Sequence, residues 1–280
     1  MFDPEPIRLA HSPDSDDAFM FYALADGRVD TEGLAFVHEI ADIESLNRRA
    51  LAGELAVTAV SFHAYAFLAE RYLLLPHGAS FGDGYGPVVV ARGPLSREEI
   101  TGGGVVVASP GETTTAALAL SLWAPGARAE VLPFDQILEA VAGGRFAAGL
   151  LIHEGQLTFG EKGLTEVVDL GRWWKEETGL PLPLGGNVVR RDLGAERIGQ
   201  ISRVLSRSIE YGLAHREAAL AHAMKYAREM DAGKADRFVG MYVNDWTRSY
   251  GPEGRRAVQA LLDRAHAAGL IPETHAEYAA

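Results

Sequence analysis

A histidine at the mouth of an apolar run is the first residue in this chain placed to do chemistry. His153 follows six apolar or small residues in the stretch AAGLLIHEGQ, residues 147–156, and is itself followed by Glu154 and Gly155. A short apolar run that ends in polar residues and glycine predicts a buried strand opening onto a loop. That places the imidazole at the rim of a sheet, where open α/β folds put their ligands. An imidazole titrates near ~6.5 in water, so it can act as a base at neutral pH with little tuning. Glu154 is its neighbour in sequence, but adjacent strand residues face opposite ways, so Glu154 is not read as its partner.

Two further stretches carry polar groups at predicted strand ends. Ser109-Pro-Gly-Glu-Thr-Thr-Thr115 lies between a buried strand and a helix. Its N–H groups, with the hydroxyls of Thr114 and Thr115, make a candidate anion site for a carboxylate as well as a phosphate. It lacks the lysine of a phosphate-binding P-loop, and the plainer alternative is a helix cap. Ser61 stands at the end of another strand with the same two readings. Asp14, Asp16 and Asp17 resemble a hard-cation site, but no second acidic cluster follows at calcium-loop spacing. Helix capping and binding of substrate hydroxyls are preferred for them, and no metal is assigned. His11 stands at the same strand end as a cleft residue. His63 and His77 fall near loops, while His38, His215, His222, His266 and His275 read as structural or solvated. Tyr85, within a glycine-rich loop, would set an aromatic face near a ring-shaped ligand. Trp173 and Trp174 read as lobe surface or cleft rim.

The elements that must hold these residues follow from pattern. Strands are expected at 7–10, 33–40, 56–60, 72–75, 88–91, 105–108, 129–132, 147–152 and 164–170, with a strand-like piece at 188–190. Helices are expected at 18–24, with Ser15 and the acids before it as cap and first-turn residues, and at 42–51, capped by Asp42 and ended by Gly53. Further helices are expected at 64–70, 116–122 and 134–141, and from a short segment begun by Ser96. Residues 78–87 read as a glycine-rich loop and 182–187 (LPLGGN) as a Pro/Gly linker. From Ala195 onward the chain reads as helices over roughly 195–230, 235–247 and 252–268.

One internal echo organises the whole: residues 52–63 and 143–154 each run from a helix-ending glycine through a strand to a polar residue. The segments around the glycine-rich loop and LPLGGN look like crossings between two lobes. Together these predict a type II periplasmic-binding-protein-like α/β fold, two lobes joined by two hinge strands with a cleft between. The larger lobe is expected to take 1–89 with 190–280, and the smaller, 90–189, the Thr-rich loop and His153.

The totals bound the function. The 280 residues suffice for two lobes of ordinary size. A net charge of −12 and scattered Arg and Lys argue against a nucleic-acid partner. With no cysteine, disulfides, thiol catalysis and thiolate metal sites are excluded. No run approaches a membrane span and no signal peptide is visible, so a cytoplasmic location is expected.

Six motifs converge on one resemblance. His11-Ser-Pro-Asp-Ser-Asp-Asp-Ala-Phe-Met-Phe21, Asp42-Ile-Glu-Ser-Leu-Asn47, Ser61-Phe-His-Ala-Tyr65, Gly78-Ala-Ser-Phe-Gly-Asp-Gly-Tyr-Gly-Pro87, Gly111-Glu-Thr-Thr-Thr115 and Ile152-His-Glu-Gly-Gln156 resemble the 1,4-dihydroxy-6-naphthoate synthase family of futalosine-dependent menaquinone biosynthesis. The match extends to about Asn187; the C-terminal helices agree only in character. The resemblance implies a two-lobed solute-binding fold used as a carbon–carbon lyase. Its carboxylated small-molecule substrate is cyclic dehypoxanthine futalosine, and no cofactor is implied. The family's general base falls on His153, and its substrate contacts fall on Ser61, Phe62 and His63 and on Thr114 and Thr115. His11, Asp14 and Asn187 complete the candidate contacts. Two rivals stand beside this reading: the chorismate dehydratase of the same pathway and fold, which lacks a start like Ser12-Pro-Asp-Ser-Asp-Asp-Ala-Phe19, and a non-catalytic binding or sensor protein.

Overall fold

A computed structural model describes residues 6–226 and 231–280. Its strands, in chain order, are β1 (Ile7–His11), β2 (Phe36–Ile40), β3 (Val57–Ser61), β4 (Tyr72–Leu74), β5 (Ser80–Gly82), β6 (Val88–Ala91), β7 (Val106–Ser109), β8 (Arg128–Val131), β9 (Ala148–Leu151), β10 (Thr165–Asp169) and β11 (Leu182–Arg190). They form two sheets. The first has the order β2-β1-β3-β11-β4, with β5 also paired to β11; the second has the order β10-β6-β9-β7-β8. The chain therefore builds the first sheet through β5, crosses to build all of the second, and returns through β11. The two-sheet α/β arrangement expected from the internal echo is present. The echoing segments hold corresponding places, with β3 between β1 and β11 and β9 between β6 and β7. Each follows a glycine with left-handed backbone, Gly53 and Gly144.

Most elements form where the sequence puts them. The Ile43–Leu51 helix is capped as expected, with the Asp42 carboxylate accepting from the Ser45 N–H at 2.9 Å. The Ser96 segment is a short helix, Arg97–Thr101, closed by a capping box.

Four readings need correction. LPLGGN is not a linker but the first part of the nine-residue strand β11, in which Gly185 pairs with Ser61 and Gly186 with Val60. Its proline is tolerated because the β11–β5 register is irregular between Pro183 and Gly185. Residues 170–178 form a helix whose N-cap carboxylate, Asp169, accepts from the N–H groups of Gly171 and Arg172 at 2.9 and 3.0 Å. That helix puts Trp174 fully in the core, not on a surface or rim; Trp173 is half-buried against it. The helix expected at 64–70 begins and ends earlier, at Phe62–Tyr65, and is followed by turns such as Leu68 N–H to Tyr65 carbonyl at 2.9 Å. The long helix expected over 195–230 breaks at His215 into Ala195–Ala214 and Arg216–Ala223, and residues 227–230 lie outside the described residues. The two later segments appear as Ala232–Tyr242, Asp245–Arg248 and Gly251–Ala267.

One hydrophobic core joins the two sheets: Val60, Phe81 and Val188 of the first lie in a single buried cluster with Val89, Val107 and Leu150 of the second. Burying such side chains contributes roughly 1.5–3 kcal/mol each. At the crossing, glycine is required. A Cβ on Gly171 would collide with the Tyr85 carbonyl, so the start of the Leu170–Thr178 helix can approach the Tyr85–Gly86 backbone only without a side chain.

Candidate active site

His153 sits two residues beyond the end of β9, at φ +55°. Left-handed backbone is unfavourable for a non-glycine residue by about 1–2 kcal/mol, and residues held there cluster at functional sites. The conformation ends the strand and lets the next helix, Gly155–Thr158, start at once. The imidazole lies 17% exposed, with Nδ1 3.1 Å from Oδ2 of Asp14. The edge of the ring meets Phe134, centroid to centroid 4.9 Å. The turn is braced by Gln156. With its amide oriented to donate to the Gly86 carbonyl at 2.8 Å, it accepts from the His153 N–H at 3.1 Å.

Asp14 is the backbone N-cap of the Ser15–Ala25 helix, yet its carboxylate makes no capping bond. It reaches instead from the first sheet to the histidine of the second. The expectation of a helix cap thus gives way to a cross-sheet contact. Asp17 does the local work: its Oδ2 accepts the Ser12 N–H at 2.7 Å, while Ser12 Oγ accepts the Asp14 N–H at 3.3 Å. The three acids do not converge as a cation site, and among the described residues no group of three or more His, Asp or Glu is arranged to hold a metal.

His153 opens on a cavity of about 740 Å³, its mouth included, between the two sheets. The first sheet and its helices supply Ser12, Asp16, Asp17, Ser61, Gly78 and Ser80; the second side supplies Thr114, Thr115, Ala116, Ile152 and Gln156. The floor is Leu184, Gly185 and Gly186 of β11, and Phe238 and Tyr242 come from the distant Ala232–Tyr242 helix.

The Thr-rich loop is more fully engaged than a bare anion site. Thr113 gives its N–H and hydroxyl to Glu44 Oε2 at 3.2 and 2.9 Å. Thr114 caps the Thr115–Trp123 helix, its Oγ1 accepting from the Ala117 N–H at 3.1 Å and donating to the Gly111 carbonyl at 3.3 Å. Thr115 donates to the Leu184 carbonyl at 2.6 Å. What the loop offers a ligand is the first helical turn, where the N–H groups of Thr115 and Ala116 have no intrahelical acceptor; both residues line the cavity. Replacing both Thr114 and Thr115 by valine removes a cap and the tie to β11. The expected result is a Michaelis constant raised about tenfold and a loss of about 1–2 kcal/mol of stability. Steady-state kinetics and thermal melting check it, and unchanged values for both would reduce the loop to a passive connection.

The remaining sequence candidates divide. Ser61 lines the cavity, held by Asn47, whose side chain donates to Ser61 Oγ at 3.2 Å and accepts from the Ser61 N–H at 2.9 Å. His63 stands one layer back, with Nδ1 3.2 Å from the Thr114 carbonyl and its N–H donating to Thr115 Oγ1 at 3.3 Å. Burial lowers its pKa, with the Thr114 carbonyl opposing. Phe62 is not brought to the cavity: it is fully buried between Phe81 and Tyr250, centroids 6.2 Å from each. His11 is likewise withdrawn, its Nε2 3.2 Å from His38 Nδ1 and its ring against Phe21. Burial, with His11 beside it, pushes His38 down to about 4. Asn187 holds the cavity-lining Gly78 by donating to its carbonyl at 3.0 Å. Tyr85 anchors its loop by donating to the Met241 carbonyl and packs on Tyr242 at 5.7 Å.

Gln156, Phe238, Tyr242, Glu44 and Asn47 were not singled out individually by sequence; Asp16 was, within the acidic cluster. Glu44 and Asn47 carried a usable signal, being three apart on one helix and so on one face. Phe238 and Tyr242 carried none beyond the apolar stripe of a helix.

The fold is shared with solute receptors. The alkanesulfonate-binding protein SsuA from Xanthomonas axonopodis pv. citri superposes with a TM-score of 0.70 at 11% identity, covering 97% of this chain and 96% of that one. Fold and site together define a periplasmic-binding-protein-like α/β protein with a histidine–carboxylate pair bridging its cleft. Protein AF1704 from Archaeoglobus fulgidus matches far more closely, with a TM-score of 0.91 and 47% identity over 96% of this chain and 100% of that one. A family model described as menaquinone biosynthesis matches residues 7–267. The 1,4-dihydroxy-6-naphthoate synthase of Thermus thermophilus is 45% identical over 266 residues, 95% of this chain and 96% of its own. The chain belongs to the 1,4-dihydroxy-6-naphthoate synthase family of menaquinone biosynthesis, and is an enzyme of that family.

Proposed function

We propose that the cavity binds cyclic dehypoxanthine futalosine and releases 1,4-dihydroxy-6-naphthoate, with His153 as general base. The contact between His153 Nδ1 and Asp14 Oδ2 at 3.1 Å carries this reading. A carboxylate on Nδ1 fixes the tautomer and makes Nε2 the nitrogen that takes up a proton. That proton comes from a hydroxyl of the sugar-derived part. The neighbouring carbon–carbon bond breaks, the oxygen becomes a carbonyl on the ring side, the bond's electron pair leaves with the three-carbon fragment, and tautomerisation of the ring side to the aromatic diol drives the step. The proton returns from His153 to the departing three-carbon fragment, so the two products together contain every atom of the substrate. Asp14 is a positioning residue in this scheme.

The substrate carboxylate lies at the first turn of the Thr115–Trp123 helix, where unpaired N–H groups and the helix dipole favour an anion. Ser61 faces the same space. Closure of two lobes, 1–89 with 190–280 against 90–189, excludes water from the site. Sheet membership supports a two-part division with its crossings earlier in the chain: the first sheet is left after Gly82, β6 (Val88–Ala91) already belongs to the second, and the first is rejoined at Leu182. The reaction takes place in the cytoplasm in this reading, and no helix among the described residues is long and apolar enough to cross a membrane.

The test is incubation of the purified protein with cyclic dehypoxanthine futalosine, followed by the absorbance of the naphthoate, with chorismate as a parallel substrate. Naphthoate formation supports the proposal. Binding without turnover would return the protein to the receptor function of its fold neighbours, and turnover of chorismate alone would make it a dehydratase.

A further inference from the structure

Three carboxylates stand at the start of the Ser15–Ala25 helix; all three have protein partners, Asp16 through the Asp17 backbone N–H. Asp14 lies against His153 and Asp17 accepts the Ser12 N–H. Asp16 differs. It lines the cavity, and its Oδ1 is shut off from solvent with no hydrogen-bond partner among the described residues. A buried polar atom left in that state is costly until something supplies a partner. Because the residue belongs to the cavity wall, a small turn of its carboxyl lets a group on the ligand supply the missing partner.

We propose that Asp16 is a ligand-contacting residue that hydrogen-bonds a hydroxyl of the sugar-derived end of the substrate and selects that end for the His153 side of the cavity. This role rests on the substrate proposed above. Electrostatics choose the end. Asp16 is faced by Asp14 and Asp17 of its own segment, by His153 after β9 and by Tyr242 of the Ala232–Tyr242 helix. A ligand carboxylate placed here would meet a cluster of acids, whereas an uncharged hydroxyl meets no such repulsion. The same arrangement leaves the ligand's carboxylate for the opposite, N–H-bearing wall.

Burial, reinforced by Asp17 and Asp14 and opposed by His153, lifts the Asp16 carboxyl to about 8. At neutral pH it is a neutral acid that can donate as well as accept. The closest imitation of a neutral acid is an amide. Asparagine therefore reproduces the contact and alanine does not.

The experiment compares wild type, Asp16→Ala and Asp16→Asn between pH 6 and 9. It measures kcat and KM for cyclic dehypoxanthine futalosine and, separately, the Kd of 1,4-dihydroxy-6-naphthoate, which lacks the sugar-derived end. Asp16→Ala is expected to raise KM about tenfold, the scale of one buried hydrogen bond, with the naphthoate Kd unmoved. Asp16→Asn is expected to recover KM to within about threefold of wild type. It should also abolish the rise in KM that wild type shows as pH passes 8, where the acid ionises. An unchanged KM in Asp16→Ala, or an equal loss of naphthoate binding, overturns the assignment. If wild type itself fails to turn over the substrate, the functional reading falls first and this role with it.

Discussion

His153→Ala is expected to lower kcat by about 10² to 10⁴, the usual contribution of a general base, while substrate affinity stays within a few fold. The split follows from the geometry. The imidazole is one face of a cavity whose other walls come from both sheets and the Ala232–Tyr242 helix, so its loss removes the proton acceptor and leaves most of the binding surface. Single-turnover kinetics separate the two effects, because chemistry is then read apart from substrate capture. Wild-type turnover by the alanine variant would remove His153 from the mechanism.

Asp14→Asn is expected to be the next most damaging change, lowering kcat by about 10² with KM nearly constant. A carboxylate behind a catalytic imidazole works by holding the tautomer and ring orientation and by balancing the charge that appears on protonation. An amide has nearly the same shape and can hydrogen-bond, but it can also present its N–H₂ to Nδ1 and favour the wrong tautomer. Asp14 is buried and Nδ1 is 3.1 Å from its Oδ2, so solvent does little to screen the interaction. Steady-state kinetics with a parallel thermal melt check this. Undiminished kcat in a folded Asp14→Asn protein would show that the carboxylate has no role in catalysis.

The sequence reading was strongest where local rules act alone. The strand before His153, the Asp42 and Thr114 caps and the Gly53 and Gly144 helix ends all follow from neighbours within four residues. It failed where partners come from far along the chain. LPLGGN has the composition of a linker and becomes a strand because β3, more than a hundred residues earlier in the chain, offers it a ladder. Phe62 follows a strand buried on both faces, so alternation could not tell cavity from core. His11 was drawn away by His38 of the adjacent strand. Most instructive are Asp14, Asp16 and Asp17. Composition presents them as one acidic patch, but the start of the helix turns successive side chains in different directions, giving one to the histidine, one to the cavity and one to the backbone. Their separate duties are a property of rotation about the chain, which a string of letters does not display.

The left-handed backbone at His153 also bears on how variants of this protein would be selected. Glycine or asparagine adopts φ +55° with less strain than histidine. A library screened for heat resistance alone would therefore drift away from histidine at this position, gaining stability as it lost turnover. Thermostabilisation of this scaffold has to be scored on product formation from the first round, or the fittest survivors will be good receptors and poor enzymes.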